Sequence, residues 1–278
     1  MISPRDGYWQ VGAWLTGQSK GAEVANMNSF ALGWVVKGFF LPIMFYYLVL
    51  NVADIAPVQI WFSGDWVLIT RRLVFLSIIF ELVVVCTGYS LTLRLFDSQI
   101  RTVNPLVWGW VVTLACYEPF NHVTFGQIAN RYVGEPWYEM IQSYPSVTLP
   151  WLLGLLVSYV VWVWATCSFG LRWSNLTNRG VVTCGPYKYL KHPDYFSKSI
   201  FFWLTAMPFL ADATLTEKIV ATIALLTVNG LYYARARAEE VHMSEDPDYV
   251  RYALVMNEKS LLRFLGKAFP PLLYRSPK

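Results

Sequence analysis

The chain has 278 residues, of which 55% are hydrophobic, 17% aromatic and only 14% charged, against about a quarter charged in an ordinary soluble domain. With a mean hydropathy of +0.39 and its apolar residues gathered in long runs, a water-soluble globule is excluded. The net charge of +4, from 22 basic and 18 acidic side chains, suits anionic headgroups and not a nucleic-acid partner.

The opening MISPRDGYWQ has neither a basic n-region nor an apolar h-region. We therefore expect no cleaved signal peptide, with insertion through internal spans. A bilayer core needs about 20 mainly apolar residues per helix, and six segments are candidates. The first runs from Phe30 to Val52, with Lys37 near its start, and the second from Leu73 to Leu93. The third, Pro105 to Tyr117, is short; it either continues through Phe120 to Phe125 or spans only in part. The fourth, Leu149 to Leu171, contains GLLVSYVVWVWATCSFG. The fifth and sixth, Tyr195 to Leu210 and Lys218 to Ala234, are divided only by ADATLTE and so form an antiparallel hairpin. The fold class expected is all-α, a polytopic membrane helix bundle of about six spans.

Lys and Arg collect in short cytoplasmic loops. Arg172 to Lys198 holds five basic residues against one acid, and the tail from Arg235 onward holds eight. That face is expected to be cytosolic, with both termini on it. Arg71 and Arg72 fall on the opposite side in this scheme. Cys86, Cys116 and Cys167 lie in apolar runs and Cys184 in a basic loop, with no CxxC spacing. They read as small hydrophobes, and His122 and His242 have no partner pattern, so no metal is expected. SLLRFLGKAF near the C-terminus mixes Leu261, Leu262 and Leu265 with Arg263 and Lys267. It either lies in the membrane interface or packs on the bundle.

Two stretches break the scaffold pattern. RGVVTCGPYKYLKHPDY, Arg179 to Tyr195, joins spans four and five; Gly185 and Pro186 mark a turn, and KYLKH is expected to make a short helical turn. Its rings and cationic donors either anchor the loop at headgroup depth or sandwich a planar base and hold an anionic group. LYYARARAEE follows span six, where Arg235 and Glu239 share a helix face. Arg235 is either a snorkelling partner of a glutamate or a clamp for a carboxylate or phosphate. Glu81, deep in span two, is a functional candidate by its depth. It can equally be a structural partner for Lys37 or a neighbouring hydroxyl. The common nucleotide-binding and hydrolase motifs are absent from the sequence, so any nucleotide-like cofactor would sit on helix ends and loops.

Three pieces in this order, VVTCGPYKYLKHPDY from Val181, RARAEE from Arg235 and DPDYVRY from Asp246, resemble the C-terminal signature of the isoprenylcysteine carboxyl methyltransferase family and its phospholipid methyltransferase relatives. The similarity covers Asn175 to Tyr252, and Lys191 stands where the family pattern has arginine, keeping the charge but losing the planar fork. The resemblance implies a cytosolic S-adenosylmethionine pocket contacted by Arg179, Gly180, Val181, Val182, Tyr187, His192, Pro193, Asp194, Tyr195 and Glu239. It also implies that Arg235 meets the polar head of a lipid or lipidated acceptor arriving from the bilayer. Direct displacement at an activated methyl then requires alignment and exclusion of water. An oxyanion acceptor held by Arg235 needs no base, whereas an amine or thiol would use Glu239 or His192. On this resemblance residues 1–148 form the acceptor side, 149–255 a methyltransferase-like core and 256–278 an interfacial tail. The competing readings are an NADPH-dependent membrane sterol or lipid reductase, which shares a similar core, and a non-enzymatic transporter component.

Overall fold

The computed structural model describes residues 7–18, 24–53, 64–121, 137–206 and 213–276. Its helices in chain order are α1 (Gly7–Leu15), α2 (Val24–Ala53), α3 (Trp66–Ser90), α4 (Val107–Leu114), α5 (Trp137–Met140), α6 (Pro145–Phe169), α7 (Pro193–Ala206), α8 (Leu215–Met243), α9 (Pro247–Lys259) and α10 (Arg263–Ala268). Local chemistry sets several of these starts. Asp65 accepts from the backbone of Val67 and Leu68 ahead of α3, Thr214 and Glu217 form a capping box on α8, and Asp246 caps α9 with Pro247 in its first turn.

The chain is an all-α membrane bundle. Among the described residues four helices, in α2, α3, α6 and α8, are long and apolar enough to cross a bilayer. The third and fifth expected spans are shorter: α4 has 8 residues and α7 has 14. His122 and the stretches 122–136 and 207–212, on which the continuation of these two segments depends, lie outside the described residues. Helix α1 was not anticipated; its Tyr8 packs edge-on against Phe30 of α2 at 4.8 Å.

Packing fixes the directions of the helices. Val67 at the start of α3 clusters with Leu152 near the start of α6, and at the other end a methyl on Gly88 would lie 3.0 Å from the Trp173 carbonyl. Helices α3 and α6 therefore run parallel. The Trp151 indole donates to the Leu204 carbonyl at 3.0 Å, so α7 returns antiparallel to α6. On the other side of α3, Phe40 of α2 stacks on Tyr89. Arg71, the outlier in the charge count, lies over the Tyr138 ring at 4.0 Å, a cation–π contact that eases the cost of its position at that end.

At the opposite end the loops are tied together by a two-residue antiparallel ribbon, β1 (Thr102–Val103) pairing with β2 (Thr177–Asn178). Beside it Arg179, almost wholly buried, donates to three backbone carbonyls: Ser98 at 2.6 Å, Trp173 at 2.8 Å and Gly88 at 3.0 Å. Burial brings its pKa down to about 10, yet three carbonyl dipoles hold the guanidinium in place. Gly180 follows with φ +108°, and a Cβ there would meet the Arg101 guanidinium at 3.0 Å.

Replacing Arg179 by Lys is expected to lower stability by about 3 kcal/mol, because a point-like ammonium cannot serve three carbonyls that a planar fork reaches together. Thermal unfolding in detergent measures this, and an unchanged midpoint would show that the clip is dispensable.

Candidate functional site

The ends of α6, α7 and α8, the loop from Gly170 to His192 and the side of α9 enclose one cavity of about 1000 Å³, counted out to its open mouth. Its lining mixes aromatic rings with a few convergent charged groups, the composition of a ligand site. Of the residues implied by the family resemblance, Arg179, Gly180, Val181, Val182 and Tyr187 line it, as do His192, Asp194, Tyr195, Arg235 and Glu239. Pro193 does not line it: it opens α7 and is fully buried.

The loop reaches this shape by a tight turn. The helical turn expected over Lys188 to His192 lies three residues earlier, as a 3-10 turn over Gly185–Lys188. Pro186 favours the first turn, and Gly185 sits at φ +58° where a Cβ would come within 2.2 Å of Ser168 Oγ. Burial raises the pKa of the Tyr187 hydroxyl, which keeps the ring neutral. The Tyr252 hydroxyl donates to the Tyr187 carbonyl at 2.8 Å, so α9 holds the turn against the cavity.

Adjacent glutamates on α8 have opposite surroundings. Glu240 keeps only 3% of its side chain exposed and is surrounded by Lys191, Arg237 and His192, the last at 3.0 Å. Desolvation lowers the pKa of the Lys191 ammonium while the Glu240 charge opposes that shift. Glu239, 37% exposed, turns into the cavity and accepts a hydrogen bond from the Tyr195 hydroxyl. The partner of His192 is therefore Glu240 and not Glu239, although all line or border one site.

Arg235 is 7% exposed by side chain and lies between the Tyr117 and Tyr195 rings, 5.5 and 5.3 Å from their centroids. One terminal nitrogen donates to Asn175 Oδ1, while Nε is buried without a hydrogen-bond partner and lies 3.8 Å from Glu239. Asn175 in turn is bound by the Tyr89 and Tyr117 hydroxyls. The Tyr249 hydroxyl, Asp194 Oδ1 and one terminal nitrogen of Arg179 are further buried polar atoms of the lining without a hydrogen-bond partner.

Asp194 is held by Lys198, whose ammonium lies 3.0 Å from each carboxylate oxygen. Asn175, Tyr117, Asn104 and Lys198 were missed in the sequence. Asn104 and Tyr117 come from a separate apolar segment, and only the i,i+4 spacing of Asp194 and Lys198 carried a signal. The tail makes contacts with the bundle. Tyr274 is buried and hydrogen-bonds Ser244 at 2.8 Å, and Leu261 N–H donates to the Tyr189 carbonyl, while Leu261, Phe264 and Phe269 stay exposed. Of the two structural partners considered for Glu81, the hydroxyl is found and Lys37 is not. Glu81 accepts from the Trp162 indole at 2.8 Å and the Thr166 hydroxyl at 3.0 Å, whereas Lys37 lies over the Trp34 ring. No group of three or more His, Cys, Asp or Glu side chains able to hold a metal occurs among the described residues.

Fold and site together define an integral membrane protein with a charged, ring-walled pocket where its helices meet at one end. Residues 147–245 match the isoprenylcysteine carboxyl methyltransferase (ICMT) family, a family of membrane methyltransferases and the one that the sequence motifs resemble. The match takes in α6, the loop, α7 and α8, and leaves α2 to α4 outside it. Comparison with curated proteins and with solved structures found no match.

If the Glu240 cluster ties the loop to α8, Glu240→Gln leaves two cations and a histidine without their carboxylate. Amide hydrogen exchange at residues 187–192 is expected to accelerate by tenfold or more, about 1.4 kcal/mol of local opening free energy, while the middle of α3 and α6 stays protected. Unchanged exchange in the loop would count against the tie.

Proposed function

We propose that the chain transfers a methyl group from S-adenosylmethionine to the polar head of a lipid or lipidated small molecule, with an anionic oxygen as the acceptor. The observation that carries this reading is Arg235: a buried guanidinium with an unsatisfied Nε, opening onto the same cavity as the loop of Tyr187, Asp194 and Tyr195.

The cavity has the groups that such a cofactor needs. Tyr187, Tyr249 and Tyr252 line the cavity and supply aromatic surface for a planar base. Asp194 and Glu239 offer acceptors for hydroxyls and for positive charge, and the free Tyr249 hydroxyl is available as a donor. When bound, the sulfonium supplies a methyl that is already electrophilic. What remains for the protein is alignment and exclusion of water, which accounts for a large part of such rate enhancements.

Arg235 suits an anionic acceptor. A carboxylate or phosphate oxygen can take the vacant Nε and form a charge-assisted bond, with Asn175 fixing the orientation of the guanidinium and Tyr117 and Tyr195 flanking it. An ammonium in that place would face like charge in a poorly hydrated recess. A carboxylate nucleophile needs no base, which agrees with His192 being occupied by Glu240. The acceptor's apolar tail would remain among the bundle helices, and the excess of basic residues at this end supports a cytosolic cavity with both termini beside it.

Titration calorimetry of detergent-solubilised protein with S-adenosylhomocysteine and, separately, NADPH tests the reading. Binding of the first alone is expected; binding of NADPH alone would favour the reductase, and binding of neither the transporter component. Glu239→Ala is expected to weaken S-adenosylhomocysteine binding by tenfold or more, about the worth of one charge-assisted hydrogen bond. Arg235→Ala should leave that affinity nearly intact and abolish methylation of lipid extracts, read by mass spectrometry as loss of the methylated product. Equal and negligible effects would reduce both residues to a structural ion pair.

A further inference from the structure

The polar cluster inside the membrane has no role in the proposal above, yet it joins the pocket through one residue. Glu81, from the middle of α3, is 8% exposed and receives two donors from α6: the Trp162 indole N–H at 2.8 Å and the Thr166 hydroxyl at 3.0 Å. The face of the same indole carries the Lys198 ammonium of α7 at 4.7 Å from its centroid. Lys198 also grips both oxygens of Asp194 at 3.0 Å, and Asp194 lines the cavity. A carboxylate that accepts from an indole N–H makes the ring more electron-rich and strengthens its hold on a cation over its face. One lysine thus stands between two acidic groups, one directly bonded and one acting across Trp162.

We infer that Glu81 is a positioning residue for the pocket: acting through Trp162 it shares the charge of Lys198, so that Asp194 keeps negative charge to present to a cationic ligand. The reasoning is a charge count. With Glu81 ionised the Glu81, Lys198 and Asp194 set carries one net negative charge, and Asp194 is its exit to the cavity. With Glu81 neutral the set sums to zero, and the lysine cancels Asp194. This inference rests on the proposed cofactor, whose sulfonium is positive, whereas the thioether left after transfer carries no charge at sulfur. The cluster would then favour the reactive form over the spent one. Among the described residues four basic side chains, Arg172, Arg179, Lys191 and Arg235, line the cavity against two carboxylates, Asp194 and Glu239, so the charge that Asp194 keeps bears directly on how well a cation is held.

The test compares two ligands on the full-length protein in detergent, S-adenosylmethionine and S-adenosylhomocysteine, by calorimetry. Glu81→Gln preserves the shape and an acceptor oxygen. It is expected to weaken binding of the sulfonium form about tenfold, the scale of one unit charge acting over roughly 10 Å at protein-like dielectric, with far less effect on the thioether. Trp162→Phe, which keeps a smaller aromatic face and removes the indole N–H, is expected to shift the ratio the same way by less, and it decides the matter should Glu81→Gln fail to fold. Equal losses for both ligands, or none, would overturn the inference by reducing Glu81 to a packing element. If the unmodified chain binds neither ligand, the methyltransferase reading fails and this inference fails with it.

Discussion

A carboxylate with 3% of its side chain exposed beside an apolar bundle is held as the ion by nearby cations, and Glu240 has Lys191 and Arg237, with His192 bonded to the same carboxylate. Two of these belong to the loop before α7 and one to α8 itself, so the pairing is also a mechanical joint. The tail meets the same joint: Lys191 and Arg237 each approach a tail carbonyl at 3.5 Å, Leu272 and Leu273 respectively. Loop, helix end and C-terminal segment are thereby fixed against one another, and the cavity is the space they leave. Without that joint the loop would be a flexible basic connection between two helices.

The same constraint explains why consecutive residues of one helix do different work. Successive side chains on an α-helix are turned by about 100°. Arg235 and Glu239 are on the face that turns to the cavity, while Arg237 and Glu240 turn to the loop and tail. The RARAEE stretch therefore carries two charge systems. One is complete, its members satisfied by each other; the other is left partly open, with Arg235 Nε lacking a hydrogen bond and Glu239 37% exposed. Polar groups left open in a buried site cost stability, and a ligand is the simplest way in which that cost is recovered.

Much of this was legible in the sequence, for physical reasons that also set its limit. Long apolar runs gave α2, α3, α6 and α8, because only a helix satisfies its backbone in lipid. Local spacing brought the loop residues and the α8 residues to one end, since a membrane hairpin must return to the side it left. Nothing local could bring in Asn175's partners Tyr89 and Tyr117, or pair Glu81 with Trp162 and not with Lys37. Those contacts join residues 58 to 86 positions apart and depend on which helices are neighbours. The 3-10 turn was displaced for a related reason: apolar and basic spacing suggested KYLKH, while the turn residues Gly185 and Pro186 and the close approach of Ser168 determined the actual place.

The family match stops short of the residues that hold the site open. Arg179 is clipped to carbonyls of Gly88 and Ser98, His242 hydrogen-bonds Thr102 at 2.9 Å, Asn104 reaches the Ala238 carbonyl at 3.4 Å, and Tyr117 flanks Arg235. All five of these partners precede residue 147, where the match begins. The matched segment contributes most of the cavity wall, but the N-terminal helices and their connecting loop hold it in position. Tyr117 matters most in this respect, since it both bonds Asn175 and covers the guanidinium that would meet the acceptor. On the proposed function, selection among acceptors is expected to lie with the part of the chain before residue 147, which can vary around Arg235 while the loop from Gly170 to His192 keeps its geometry.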